Sequence, residues 1–315
     1  MARKAPRDVS TIACLGAGPI GGGWAAHFLA RGYDVTAWVH DAAEEPKLRG
    51  LIDAAWEALT ELGLADGASR DRLAVTTDMA AAVADADFVQ ESVPENIDLK
   101  QSVYARLGKL VPDDVVISSS TSGLSITDIQ AKCATPERTV TGHPFNPPYL
   151  MPLVEIVGGA RTDPDAVQWT GVFFRHAGKA PLVMDREVPG FVATRLQEAI
   201  WREALHMVNE GEATVEQIDI AVTNGPGPRW ALMGPCMVYH VGGGEGGMRY
   251  CLEQFGPALK FPWTRLIAPE LTDELTAKMV QGSEEAAEGE DFPTLTRRMN
   301  DGLVKVLKAR RDAGF

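Results

Sequence analysis

Short apolar runs alternate with longer amphipathic stretches through the first half of the chain. Residues 11–15 form a compact apolar run, which is the pattern of a strand buried on both faces of a sheet, and a helical pattern follows them. The same succession of strand, turn and helix signals recurs between residues 72 and 130. We therefore predict an α/β fold, in which a doubly wound parallel sheet places its ligand sites at the carboxyl ends of the strands.

The periodicity becomes helical in the second half of the chain. Apolar side chains return at helical spacing at Phe191, Leu196, Ile200, Leu205 and Val208. Thr214 is placed to cap the next helix. Further helical patterns occupy residues 246–256, 272–286 and 292–314. We predict two domains, an α/β domain of residues 1–187 and an all-helical domain of residues 188–315.

A glycine-rich motif stands where the first strand meets the first helix. Gly16, Gly18 and Gly21 match G-x-G-x-x-G. In a dinucleotide site the first glycine permits a tight turn, the second lets the backbone approach a pyrophosphate and the third brings the helix against the sheet. Backbone N–H groups of the first helical turn, such as that of Ile20, would face the phosphates. The motif predicts a Rossmann-type domain that binds a dinucleotide cofactor.

The acid expected to bind the adenosine ribose is less regular. Asp41 follows the glycine motif at about the spacing of 20 residues that such an acid requires. The position that ends the second strand holds Val39, so Asp41 is displaced along the chain. We predict NAD as the cofactor with Asp41 on its ribose. Lys47 and Arg49 keep a 2′-phosphate, and hence NADP, as an alternative.

The segment TGHPFNPPYLMPLVEI, residues 141–156, carries His143 in a rigid proline-rich loop and Glu155 in an apolar run. Taken alone, His143 is better explained as a structural histidine whose ring bonds to the backbone. Glu155 changes that interpretation, because a buried carboxylate without a partner is costly and His143 is a natural partner. A histidine oriented by a carboxylate is suited to general-base catalysis.

Composition limits the classes of partner and compartment. The chain has 315 residues and a formal net charge of −13, which argues against binding to nucleic acid or to an anionic membrane surface. Its four cysteines show no metal-ligand spacing, so we predict reduced thiols and no metal site. No apolar run approaches the length of a membrane span, and no secretory signal is evident. A cytoplasmic protein is expected.

Five motifs occur in one order across residues 12–196: GAGPIGGGWA, VPENIDLK, SSSTSGLSI, GHPFNPPYLMPLVEI and VPGFVATRL. Together they resemble the 3-hydroxyacyl-CoA dehydrogenase family. The resemblance implies a dinucleotide domain followed by a helical domain that also forms a homodimer. It further implies that His143 is the catalytic base and Glu155 its partner, and that Ser122 and Asn146 contact the substrate.

The same resemblance assigns residues to the cofactor and to the substrate. Glu95 and Lys100 match family positions on the nicotinamide side of the cofactor site, and Ser120 is expected to contribute to cofactor binding. Acyl-CoA members of the family carry Asn where this chain has Thr194. Because a hydroxyl cannot span the geometry of an amide, a contact to the substrate or to Glu155 is expected to differ there.

The second half resembles a branch of the family that acts on small, free hydroxy acids, through segments such as GPGPRWALMGP and FPWTRL. This implies NAD-dependent oxidation of a 3-hydroxyl, with zwitterionic L-carnitine as the expected substrate. Its quaternary ammonium requires aromatic faces, for which Trp230 is the first candidate, while Arg229 or Arg195 would meet the carboxylate.

Three alternatives to L-carnitine oxidation stay open from the sequence. One is a dehydrogenase of L-gulonate or another 3-hydroxy acid, and a second is a dehydrogenase of a short 3-hydroxyacyl-CoA. The third is a nucleotide-binding structural or sensor protein without turnover, which would have no need of the pair formed by His143 and Glu155.

Overall fold

The computed structural model describes residues 3–243, 245, 247–257, 261–265, 272–275, 277 and 289–314. The chain divides into two compact units, Met1–Thr194 and Arg195–Phe315. This division falls in the first turn of a helix that begins at Ala193. The domain boundary predicted between residues 187 and 188 lies just before this turn and stays a prediction.

The first unit is built on one sheet of eight strands. In chain order these are β1 (Thr11–Leu15), β2 (Asp34–Trp38), β3 (Leu73–Thr76), β4 (Phe88–Glu91), β5 (Val116–Ser119), β6 (Thr139–Pro144), β7 (Leu153–Gly158) and β8 (Ala180–Val183). Across the sheet the order is β3-β2-β1-β4-β5-β6-β7-β8, so the winding direction reverses between β1 and β4. In doubly wound sheets, ligands bind at the carboxyl end of such a switch point.

Strand direction confirms the doubly wound fold and adds one feature at its edge. Strands β1 to β6 pair in parallel, as predicted. Strand β7 pairs antiparallel with β6, and β8 runs parallel to β7. A short connection from β6 to β7 suffices because antiparallel neighbours need no crossover helix.

Helices cover both faces of this sheet. They are α1 (Pro19–Ala30), α2 (Glu45–Leu62), α3 (Met79–Val83), α4 (Ile97–Leu110), α5 (Ile126–Ile129) and α6 (Pro164–His176). Strand β1 shows why its sequence is uniformly apolar. Ile12 and Cys14 belong to one buried cluster, whereas Ala13 and Leu15 belong to the other, so successive side chains enter opposite cores.

The helix predicted to include Phe191 begins two positions later, at Ala193. Phe191 precedes it with a positive φ of 49° and is buried. The prediction was wrong at this position. The buried side chain of Phe191 falls in register with the apolar repeat of the following helix, so the pattern alone does not show that Phe191 lies in a turn. Helix α7 spans Ala193–Asn209 and continues into the second unit.

The described part of the second unit is helical, as predicted. Its elements after α7 are α8 (Val215–Asn224), α9 (Gly227–Trp230), α10 (Pro235–Gly242), α11 (Gly247–Phe255) and α12 (Phe292–Asp312). Thr214 caps α8 through a reciprocal pair of hydrogen bonds with Gln217, which confirms the predicted cap. Most of the helix predicted at residues 272–286 lies outside the described residues. Among the helices described, none has the length and apolar character needed to span a membrane.

Candidate active site

The turn between β1 and α1 requires glycine at two positions. Gly16 has a φ of 114°, and a Cβ there would lie 2.6 Å from the carbonyl oxygen of Ser92. A Cβ on Gly21 would lie 2.0 Å from the carbonyl oxygen of Gly16. Both distances are shorter than any real contact of a Cβ atom, so side chains at these positions would push the turn and the helix apart. The turn is thereby held close to β4 at the switch point.

Gly18 has a different role from these two glycines. A Cβ on Gly18 would meet no atom within 4 Å, so the backbone is open on its outer side. Helix α1 begins immediately afterwards, with Pro19 in its first turn and no side chain capping it. Because the first N–H groups of a helix lack intrahelical acceptors, those of Ile20 and Gly21 are free to bind an anion. The turn fits the pyrophosphate of a dinucleotide.

The end of β2 offers two carboxylates and one apolar side chain. Val39 is buried and has no polar side-chain atom for a ribose. Asp41 is exposed, and its Oδ1 accepts a hydrogen bond of 2.9 Å from the N–H of Ala43. Glu44 accepts one of 3.0 Å from the N–H of His40. The ribose contact of Asp41 stays a prediction, and Glu44 is a second acid that sequence spacing did not indicate.

A buried charge network occupies the carboxyl ends of β4 and β5. Lys100, on α4, places its Nζ 2.8 Å from Oε1 of Glu91, and both side chains are almost fully buried. The other oxygen of Glu91 accepts a hydrogen bond of 2.7 Å from the Oγ of Ser119. A buried ion pair is tolerated only when its remaining hydrogen-bonding positions are also filled, as they are here by Ser119 and the N–H of Val93.

Glu95 connects this network to the turn after β5. Its Oε2 lies 3.5 Å from Nζ of Lys100, while its Oε1 accepts hydrogen bonds from the Oγ1 of Thr121 and from the N–H groups of Ser122 and Gly123. Partial burial raises the pKa of Glu95, but the Thr121 hydroxyl, the Lys100 charge and the two N–H groups outweigh it and lower the pKa overall. Glu95 therefore fixes the turn that presents the exposed side chain of Ser122.

The hydroxyl of Ser120 is fully engaged by the protein. Its oxygen accepts hydrogen bonds from Nε1 of Trp24 at 3.2 Å and from Nε2 of Gln90 at 2.7 Å, and it lies 2.8 Å from the Oγ of Ser92. Because indole and amide nitrogens can only donate, Ser120 must donate its own hydrogen to Ser92. Ser92 keeps its hydrogen for another acceptor. The cofactor contact expected of the Ser120 side chain stays a prediction, and Ser92 is the hydroxyl at this edge with a donor to spare.

His143 and Glu155 are direct neighbours across the antiparallel pair of β6 and β7. Side chains at such positions start from Cβ atoms about 5 Å apart. Nδ1 of His143 lies 2.9 Å from Oε2 of Glu155, and the two residues are 4% and 0% exposed. The two residues are twelve positions apart in the chain, and one reversal of strand direction brings them together.

The second oxygen of Glu155 is held by the segment that leads into α7. Oε1 accepts hydrogen bonds of 2.8 Å from the N–H groups of Val192 and Ala193. Burial alone raises the pKa of Glu155, but the bond from His143 and then those from Ala193 and Val192 outweigh it, so the net pKa lies below the usual value. The carboxylate is therefore ionised at neutral pH.

Two aromatic rings fix the plane of the imidazole. The ring of Phe191 stacks on His143 with a centroid distance of 4.9 Å, and that of Phe145 meets it edge-on at 5.4 Å. Ring contacts of this kind, together with the bond to Glu155, leave the histidine one orientation. Phe191 was predicted only as a core residue of a helix, because nothing in the sequence indicates a ring contact.

The loop after β6 is held by a buried lysine that the sequence did not single out. Lys179 donates hydrogen bonds to the carbonyl oxygens of Pro148 and Met151, and its Nζ lies 5.1 Å from the ring centroid of Trp24. This loop carries Asn146, whose side chain is exposed. Burial, with a smaller effect of Arg31, lowers the pKa of Lys179 to about 7.

The residues predicted to contact the substrate lie in both units. Ser122, Asn146 and Thr194 belong to the first unit, where Thr194 is partly buried in the first turn of α7. Arg229 and Trp230 belong to the second unit, where both are exposed on the short helix α9.

Two models of one protein family match consecutive parts of the chain. The model for 3-hydroxyacyl-CoA dehydrogenase, NAD binding domain, matches residues 11–188. The model for 3-hydroxyacyl-CoA dehydrogenase, C-terminal domain, matches residues 190–286. The chain belongs to the 3-hydroxyacyl-CoA dehydrogenase family. It is an NAD-dependent oxidoreductase, which confirms the predicted family and cofactor and sets aside a nucleotide-binding protein without turnover.

Named relatives align with nearly the whole length of this chain. An L-carnitine dehydrogenase of Streptomyces coelicolor is 59% identical over 96% of both chains. Another, from Bacillus cereus, is 48% identical over 96% of this chain and 92% of its own. Among solved structures, the NAD⁺-dependent dismutase 5-formyl-3-hydroxy-2-methylpyridine 4-carboxylic acid 5-dehydrogenase is similar, with a TM-score of 0.80. It is 31% identical and the match covers 96% of this chain and 99% of that one.

Replacing Lys179 by Met should change how the stability of the dehydrogenase depends on pH. The folded chain releases the Lys179 proton near pH 7, whereas an unfolded lysine keeps it until about pH 10.5. Between these values the unfolded state binds more protons, so the contribution of Lys179 to stability rises with pH. We expect the urea midpoint of the wild type to increase relative to that of Lys179→Met between about pH 7 and pH 9.

Lys109→Met is the control for this measurement, because Lys109 is exposed to solvent in the folded chain. Its plot of urea midpoint against pH should run parallel to that of the wild type. Parallel curves for Lys179→Met as well would show that the buried amine is charged throughout this range.

Proposed function

We propose that this dehydrogenase oxidises the 3-hydroxyl of L-carnitine to give 3-dehydrocarnitine, with His143 as the base. The observation that carries the proposed reaction is the buried hydrogen-bonded pair of His143 and Glu155, on the same sheet as a glycine turn suited to NAD. The proposed substrate rests on the identity of 59% with an L-carnitine dehydrogenase over nearly the full length of both proteins.

The hydrogen-bonding pattern determines which nitrogen of His143 acts. An ionised Glu155 can only accept, so Nδ1 of His143 must carry the hydrogen that it donates to Oε2. Nε2 is then the unprotonated nitrogen and takes the proton of the substrate hydroxyl. The imidazolium that forms is stabilised by the negative charge of Glu155. NAD, when bound, supplies the hydride acceptor.

Two exposed polar side chains are suited to the developing charge on the substrate oxygen. Ser122 stands on the turn fixed by Glu95, and Asn146 stands on the loop fixed by Lys179. Each can donate a hydrogen bond to an oxygen that becomes alkoxide-like as its proton leaves. Thr194 is proposed to contribute a single hydroxyl in the same region. We assign Lys100 and Glu95 to the cofactor side, with the backbone of Gly16, Gly18, Ile20 and Gly21.

Replacing His143 by Ala should abolish turnover and leave the cofactor bound. The imidazole supplies the base but no atom to the glycine turn, so kcat should fall by about 100-fold or more while the Kd of NADH, measured by fluorescence, changes less than about threefold. His176→Ala removes an exposed histidine at the end of α6 and should alter neither quantity. Equal losses of affinity and turnover in His143→Ala would contradict the role of base.

A substrate panel tests the identity of the hydroxy acid. We expect NADH formation with L-carnitine at a higher kcat/KM than with L-gulonate, 3-hydroxybutyrate or 3-hydroxybutyryl-CoA, and a lower value when NADP replaces NAD. The net charge of −13 is more compatible with a zwitterion that carries a quaternary ammonium than with a polyanionic CoA thioester. A higher kcat/KM for any of the other three compounds would reassign the substrate and leave the proposed chemistry at His143 intact.

Trp230 is the side chain that we propose for the quaternary ammonium, and Arg229 is the proposed partner of the substrate carboxylate. A trimethylammonium group cannot donate a hydrogen bond, so its specific recognition depends on aromatic faces and nearby negative charge. Both proposed residues are exposed on α9, where Trp230 is 38% exposed and can contact a ligand without rearrangement of the core.

Replacing Trp230 by Ala should weaken carnitine binding more than binding of its neutral isostere. In 3-hydroxy-5,5-dimethylhexanoate a carbon atom replaces the nitrogen, which keeps the shape and removes the charge. Loss of a cation–π contact of about 1–2 kcal/mol corresponds to an increase of about five- to 30-fold in KM for carnitine alone. Trp263→Ala, at another exposed tryptophan of the second unit, serves as the control. Equal effects on both substrates would remove the cation–π contact from the proposal.

We also propose that the second unit associates with a second copy of the chain. Large apolar side chains are exposed along its helices, including Leu196, Ile200, Met237, Tyr239, Leu252 and Phe255. Exposed apolar side chains on several helices of one unit are typical of association surfaces, and they support the homodimer implied by the family resemblance.

A further inference from the structure

The segment between β8 and α7 holds the pair of His143 and Glu155 in place. After Met184, whose N–H bonds to the carbonyl oxygen of Ile156, the chain leaves the sheet. It returns with Phe191 stacked on the imidazole and with the N–H groups of Val192 and Ala193 on Glu155. Three groups from one stretch therefore set the orientation of the base and of its partner.

This segment is anchored at its beginning by Glu187. Oε1 of Glu187 accepts hydrogen bonds from the Oγ of Ser125 at 2.8 Å and from the N–H of Thr127 at 3.1 Å. Oε2 accepts a short bond of 2.5 Å from the Oγ1 of Thr127. The anchoring residues stand at the start of α5, in the loop that follows Ser122. One carboxylate thus fastens the segment to the carboxyl-end loop of β5.

The backbone of Phe191 explains why an anchor is needed. Its φ of 49° lies in the left-handed region, which is unfavourable for a bulky side chain and persists only where surrounding contacts impose it. If the segment were released, the residue would relax toward a negative φ. The ring would then leave His143, and the two following N–H groups would turn away from Glu155.

We propose that Glu187 is a positioning residue for the oxidation, acting through Phe191 and Glu155 on His143. This inference rests on the proposed function, in which His143 is the base. The described hydrogen bonds of Glu187 go to Ser125 and Thr127, so it acts on Phe191 and Glu155 through the backbone that joins residue 187 to residue 193. Its effect is to keep the carboxylate of Glu155 aligned with Nδ1, so that the imidazolium is stabilised as it forms.

Replacing Glu187 by Ala should alter both the rate and its pH dependence. We expect kcat to fall about tenfold to 100-fold, because a base that is misplaced by a fraction of an ångström transfers its proton poorly. The rate of oxidation rises with pH as the base loses its proton. A less well placed Glu155 stabilises the imidazolium less, so this rise should move to lower pH by about half a unit or more. The Kd of NADH, measured by fluorescence, should stay within about twofold of the wild type.

Two further variants separate positioning from simple loss of structure. Glu187→Gln keeps an acceptor for Ser125 and for the N–H of Thr127, so it should restore kcat to within about threefold of the wild type. Asp163→Ala is the matched control, because Asp163 also caps a helix of the first unit, through the N–H of Asp165. It should leave kcat and the pH profile unchanged. A fall in kcat without movement of the profile in Glu187→Ala would overturn the positioning role.

If Glu187→Ala does not fold, Thr127→Val decides the question, because it removes the hydroxyl that donates to Oε2 of Glu187 and keeps the shape of the side chain. The same hydroxyl accepts a hydrogen bond from the N–H of Ala160, so the fold of Thr127→Val is checked by circular dichroism before its pH profile is measured. An unchanged pH profile in folded Thr127→Val would then contradict the proposal, and a shift to lower pH would support it. Glu155→Gln, measured in parallel, tests the proposed function itself. A shift in Glu155→Gln without one in Glu187→Ala would overturn the positioning role alone. No shift in Glu155→Gln would overturn the proposed catalytic pair as well.

Discussion

The buried carboxylate of Glu155 is the constraint around which this site is built. A charge that is fully removed from water is stable only if hydrogen-bond donors surround it. Three donors do so here, from two parts of the chain: the imidazole of His143 on β6, and the consecutive N–H groups of Val192 and Ala193 at the start of α7. Satisfying one carboxylate therefore aligns the edge of the sheet, the start of a helix and the histidine at the same time.

A second buried carboxylate, that of Glu91, organises the carboxyl ends of β4 and β5. Glu91 ends β4 and is neutralised by Lys100, which also reaches Glu95 and through it the turn bearing Ser122. The two networks are built on the same physical rule, since each gives a buried charge a full set of partners. Together they let the loops at the sheet edge hold exposed polar side chains in fixed places, as an enzyme requires for orientation of a substrate.

Much of the fold was predictable because its signals are local. The apolar run of β1, the glycine turn and the amphipathic pattern of α12 each appear within a short window of sequence, and the structure confirms all three. The pairing of His143 with Glu155 was predictable because burying an unpaired carboxylate costs free energy, so an acid in an apolar strand needs a partner. The same rule could have found Glu91, which also lies in a buried strand. Glu187 and Lys179 give no such signal, since acids and lysines in polar segments are ordinarily solvated.

Residue type and spacing were enough to predict the succession of strands and helices, the glycine turn after β1 and the pairing of one histidine with one acid. The contacts that hold these residues in place became visible only in the folded chain. The reversal of β7 put Glu155 directly opposite His143, and the left-handed backbone of Phe191 turned its ring onto the imidazole. Such contacts join residues far apart in the chain, and they follow from the sheet register and the turn geometry, which no local pattern of apolar and polar residues encodes.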